Sequence, residues 1–138
     1  MNIVIDSNIL FSALIKNSLT RKLILEYEGY FLFPGFIFNE MEKHKDELMK
    51  KCGMLRSDFN KLFQQILNKV VVVPSKVLTQ YREEAVRIVK EIDIDDALFI
   101  ACALAYPNSV LWSDDKKLKK QSEVKIFNTN EIKSIIEK

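Results

Sequence analysis

Hydrophobic positions along this chain fall into short apolar runs separated by longer stretches of helical period. Five runs, at residues 2–6, 30–33, 70–73, 109–112 and 124–127, read as strands. They are near-continuously apolar rather than alternating, as expected of parallel strands covered on both faces. Pro34-Gly35, Pro74 and Pro107-Asn108 punctuate them. Between the strands the pattern predicts helices over 7–16, 20–27, 36–52 (closed by Gly53), 57–68 (capped by Ser57) and 75–91 (capped by Ser75). A wholly apolar helix follows over 94–105, then a short lysine-rich helix after Asp115. A capping box of Asn128 and Glu131 opens the last helix. Strands alternating with helices through right-handed crossovers imply a three-layer α/β/α sandwich on a five-stranded parallel sheet, with residues 1–138 as one domain.

Composition changes this picture little. Hydrophobic residues make up 48% and charged residues 29%, an ordinary globular balance, and 138 residues suffice for a core without staples. No apolar run approaches the roughly 20 residues of a membrane span. The chain enters its first strand with no basic lead and no small-residue cleavage site, so a cytoplasmic location is expected. Cys52 and Cys102 show no metal-ligand spacing, and Cys102 reads as a small core residue. His44 is the only histidine, which argues against a Cys/His zinc site and against acid–base chemistry by a histidine pair.

Charge becomes informative once partitioned. Nineteen acids face 21 lysines and arginines; setting aside Asp6, Glu40, Asp96 and Asp115 leaves 15 against 21. Part of the surplus lies in Lys116, Lys117, Lys119 and Lys120, directly after the last acid, and in Lys43, Lys45, Lys50 and Lys51. An acidic spot in a basic surround suits a polyanion cut at a metal centre, although lysines also decorate exposed helix faces.

The acids stand where strands hand over to helices. Asp6 closes the first strand, Asp93 and Asp96 open the apolar helix, and Asp114 and Asp115 follow the fourth strand. In an open parallel sheet these points share one rim, where ligands bind. Each acid alone can be read as a helix cap. Converging acids, however, cannot all remain ionised side by side unless a cation joins them. The apolar run 97–105 must be buried all round, which carries Asp96 to the rim of the core. Glu40 lies at the edge of a stripe formed by Ile37, Met41, Leu48 and Cys52, where a solvated fate is the common one. A dehalogenase-type phosphatase needs an aspartate where Asn8 stands, a receiver domain needs one at the end of the third strand, and no glycine-rich phosphate loop is present.

The order Asp-Ser-Asn, an acid on a middle helix, Asp-x-x-Asp-Ala-Leu and Ser-x-Asp resembles the PIN-domain nucleases over nearly the whole chain, including VapC-like ribonucleases of toxin–antitoxin pairs. The resemblance implies a sheet order of 3-2-1-4-5. It also implies an endoribonuclease that hydrolyses RNA at one or two Mg²⁺ or Mn²⁺ ions. Asp6, Glu40, Asp96 and Asp115 then match the family's four acids in order, with Asp6, Asp96 and Asp115 on the metal. Ser7 and Asn8 match the polar pair beside the first acid, and Ser113 the hydroxyl two residues before the last. Asp93 and Asp114 duplicate acids in their blocks, so either member of each pair could contact metal. Lys116, Lys117 and Lys119 would meet the RNA backbone. A homodimer and an antitoxin partner are further implications. The alternative is a catalytically inactive PIN fold that binds RNA or protein.

Overall fold

A computed structural model describes residues 1–137. Five strands, β1 (Asn2–Ile5), β2 (Phe31–Pro34), β3 (Val70–Val73), β4 (Ser109–Trp112) and β5 (Lys125–Phe127), form one sheet in the order β3-β2-β1-β4-β5. Every pairing is parallel. The sheet order implied by the family resemblance is therefore the observed one. β1 is central and fully apolar at Ile3, Val4 and Ile5, which are buried. The edge strand β3 departs from the expectation of two covered faces: Val71 and Val72, which point to opposite faces, are both exposed at the margin of the sheet.

Nine α-helices cover the sheet among the described residues: α1 (Ser7–Ile15), α2 (Leu19–Glu26), α3 (Gly35–Lys43), α4 (Lys45–Cys52), α5 (Arg56–Leu67), α6 (Ser75–Thr79), α7 (Arg82–Val89), α8 (Ala97–Ala105) and α9 (Thr129–Ile136). α1 packs with α2, α4 and α5, and α2 with α9; α6 and α7 pack on α8, which lies over β1, β2 and β4. Aromatic contacts tie the sheet within itself, Phe31 with Trp112 at 5.8 Å, and to α8, Phe33 with Phe99 at 5.8 Å between centroids. Gly35 lets α3 start hard against the edge strand: a Cβ there would sit 3.0 Å from the Val73 carbonyl oxygen. No helix among the described residues is long and apolar enough to cross a membrane.

Several predicted helices are divided. The single helix over 36–52 breaks at His44, whose N–H closes back on Met41 O at 3.0 Å and whose backbone leaves the helical region. The apolar stripe continues on both sides of this break, so periodicity hides it. Gly53 does end α4, with φ +66°. The helix over 75–91 likewise breaks at Tyr81, where Tyr81 N–H bonds Leu78 O at 3.0 Å. Ser57 and Ser75 are not caps: Leu55 and Pro74 precede the first turns, with no capping side chain. Residues 94–96 form a 3-10 turn before α8, and the lysine-rich segment Lys116–Lys120 is also a 3-10 helix. The Asn128–Glu131 capping box forms as predicted.

Candidate metal centre

Parallel pairing of β1 with β4, Ile5 against Trp112, places Asp6 and Ser113 side by side at the carboxyl edge of the sheet. The Asp6 amide bonds Trp112 O at 3.3 Å and the Ser113 amide bonds Phe127 O at 3.0 Å, which locks this end of three strands together. α8 is buried at Phe99–Ala103 but not all round, since Ala97, Leu98, Leu104 and Ala105 stay partly exposed, and it carries Asp96 to the same edge. Asp6, Ser7, Asn8, Asp93, Asp95, Asp96 and Asp115 line one cavity of about 260 Å³, floored by Ile37 and Phe99.

Capping and convergence coexist here. Asp6 Oδ1 accepts the Ile9 amide at 2.9 Å and caps α1. Asp93 Oδ1 accepts the Asp95 amide at 3.0 Å, and Asp115 Oδ1 accepts the Lys117 amide at 3.0 Å. Each of these carboxylates holds a local turn in place. Asp96 caps nothing. Its Oδ2 is the one buried side-chain oxygen or nitrogen among the described residues that has no hydrogen-bond partner. Asp93, Asp96 and Asp115 each present a carboxylate oxygen, and these oxygens lie within 4.8 Å of one another.

The electrostatics follow from this crowding. Burial pushes the Asp96 carboxyl up to about 6, and the charges of Asp93, Asp6, Asp115 and Asp95 push in the same direction. Asp6 is also raised, first by burial; the Ser113 hydroxyl and the Ile9 amide pull it part of the way back, and Asp114 and Asp115 oppose them. An orphaned buried carboxylate oxygen among like charges is costly as it stands. A hard divalent cation, which takes oxygen ligands and cancels the repulsion, fits this donor set.

The remaining predicted residues are distributed around this pocket. Asp114 turns away toward α9: its Oδ1 accepts the Thr129 amide and its Oδ2 the Thr129 hydroxyl, both at 2.7 Å. Thr129 Oγ1 in turn accepts from the buried Trp112 Nε1 at 3.1 Å. Asp114 thus pins α9 to the sheet edge, through a threonine that sequence reasoning missed. Ser113 is buried and its hydroxyl accepts the Asp115 amide at 3.2 Å. Lys116 and Lys119 border a polar hollow of about 520 Å³ with Asp115 and Asn128. Lys119 also pairs with Glu131, while Lys117 is exposed. Glu40 lies outside the acidic pocket. It lines an adjoining hollow that shares Ser7 and Ile37 with it, and its carboxylate pairs with Lys43 at 3.3 Å.

Comparisons with known proteins bear on the family and the fold. The chain matches the family model for the PIN domain over residues 4–135. PIN domains are in general nucleases that use divalent metals. A search of curated proteins finds no match. Among solved structures, a chain of VapBC2 from Rickettsia felis, crystallised with a DNA fragment from their promoter, superposes with a TM-score of 0.67. The match covers 93% of this chain and 98% of that one at 18% identity, so it speaks for a shared fold. With the family model spanning nearly all of its length, the chain belongs to the PIN-domain family.

Proposed function

We propose that this chain is a Mg²⁺- or Mn²⁺-dependent endoribonuclease that hydrolyses RNA phosphodiester bonds at the acidic pocket. The observation that carries the reading is the orphaned Asp96 Oδ2 inside a cluster of three converging carboxylates. Asp96 and Asp115, with Asp6 and Asp93 beside them, would hold the cation. Such an ion supplies Lewis acidity at phosphoryl oxygens and lowers the pKa of water.

The chain's own residues then have separable tasks. The Ile9 amide and Ser113 hydroxyl keep Asp6 oriented and ionisable despite its burial. Asp93 and Asp115 hold their turns with one oxygen each, which fixes where the carboxylates point. Ser7 and Asn8 supply polar wall. Lys116, Lys117 and Lys119 lie next to Asp115 and draw in the RNA backbone, a task for which sequence-independent charge is sufficient. Glu40 is an accessory acid in this scheme, reaching the pocket only after it leaves Lys43.

A protein partner belongs to the same reading. The proposed function extends to a toxin of a toxin–antitoxin pair that acts as a homodimer; the fold shared with a chain of VapBC2 supports the first part of it. Coexpression with the product of a short neighbouring reading frame should yield a complex stable to gel filtration. The nuclease itself is tested with an end-labelled RNA: cleavage should require Mg²⁺ or Mn²⁺, stop with EDTA, and vanish in Asp6→Asn. Cleavage that survives Asp6→Asn would remove the basis for the reading.

A further inference from the structure

We propose that the hollow next to the acidic pocket is a subsite for one unpaired nucleobase of single-stranded RNA, beside the phosphate that is cut; this rests on the nuclease reading above. The hollow measures about 520 Å³ and lies between the first turn of α3, α6, the start of α7 and the first turn of α8. Asp95 lines both this hollow and the acidic pocket, so the two share a wall. Phe36 and Ile94, next in sequence to the pocket residues Ile37 and Asp93, stand at its mouth and are 56% and 58% exposed.

A large aromatic ring held open to solvent at the edge of a phosphate-cutting centre is a stacking platform for a base. Leu78 and Leu98 supply an apolar floor. The polar rim is equally specific. Arg82 makes no hydrogen bond or ion pair among the described residues. It occupies the first position of α7, where the helix dipole disfavours a cation and where Glu83 and Glu84 already supply favourable charge. Helix stability therefore does not explain Arg82. A free guanidinium facing the hollow complements a backbone phosphate or a base edge. Asp95, which also lines the hollow, can accept from an exocyclic amino group. An apolar peptide would use the floor and leave this rim without a role.

The test is a two-by-two comparison. Wild-type protein and Phe36→Ala are assayed on a short single-stranded RNA and on the same RNA carrying an abasic nucleotide, placed in turn on either side of the cut. Removing the base should lower wild-type kcat/KM on the order of tenfold. Phe36→Ala should lose a similar factor on intact RNA and show no further loss on abasic RNA. Arg82→Ala should weaken binding and flatten its salt dependence. As an independent readout, Phe36→Trp should show fluorescence quenched by the intact RNA in EDTA and much less by the abasic one. Independent, multiplying losses in Phe36→Ala, or an unquenched Phe36→Trp, would overturn the subsite alone. Absence of any metal-dependent cleavage by wild-type protein would overturn the nuclease reading and the subsite with it.

Discussion

Asp96, at the start of α8, and Asp115, just past the end of β4, bring carboxylate oxygens within 4.8 Å of each other. They are contributed by separate elements, and each is held by structure that has other reasons to exist. α8 is fixed by its burial, and the Asp115 turn by the amides of Lys117 and of Asp115 itself on Ser113. Two carboxylates placed this way are the arrangement on which the proposed metal centre rests.

The acids should therefore be unequal under substitution. Asp96→Asn and Asp115→Asn keep shape and remove charge, and each should reduce RNA cleavage at least 100-fold. Glu40→Gln, which removes a carboxylate already paired with Lys43, should cost less than about tenfold. Single-turnover rates under saturating Mn²⁺ make the comparison. Equal losses at Glu40 and Asp96 would place Glu40 at the centre of the site.

The same crowding predicts a pH dependence of stability in metal-free protein. Asp96 titrates near 6 when folded, against an ordinary 3.8, and Asp6 is shifted in the same direction. Between those values the folded protein keeps a proton that the unfolded chain has lost. The stability these groups contribute should then be fully present below about pH 4, decline as pH rises, and be absent above about pH 6, with the protein still folded. Asp96→Asn should stabilise the protein at pH 8 in EDTA by roughly 1 kcal/mol, allowing for solvent screening of this half-buried group. Urea melts at pH 5 and pH 8 measure the difference, and Mn²⁺ should restore much of the loss.

The Asp114–Thr129–Trp112 chain of hydrogen bonds is structural and should separate from the metal site. Thr129→Val leaves the buried Trp112 Nε1 without its acceptor and should cost about 1–3 kcal/mol in denaturant unfolding. Metal binding should persist in that variant at temperatures where it is folded.

Much of this was legible in the amino-acid pattern, for identifiable reasons. Short β-branched and apolar runs such as 2–5 and 70–73 have few alternatives to parallel strands once helices lie between them. Asn128 and Glu131 form their capping box from local chemistry alone. The breaks at His44 and Tyr81 were hidden because the hydrophobic period runs through them and neither glycine nor proline marks them. The sequence leaves Asp93 open as a cap or as a second acid of its block, and it is a cap. Its place in the carboxylate cluster depends on how the 3-10 turn at 94–96 folds it back, which spacing does not reveal. Thr129 gave no signal, since its partner Asp114 lies in another element. Glu40 was placed by its order along the chain, and its pairing with Lys43 is a matter of side-chain geometry.

The most direct measurement of the central claim is a Mn²⁺ titration followed by electron paramagnetic resonance, on wild-type protein and on Asp96→Asn. The predicted result is saturable binding of at least one Mn²⁺ by wild-type protein, competed by Mg²⁺ and weakened at least tenfold in Asp96→Asn. Equal Mn²⁺ binding by the two proteins, or none by wild-type protein, would contradict a metal centre at these carboxylates.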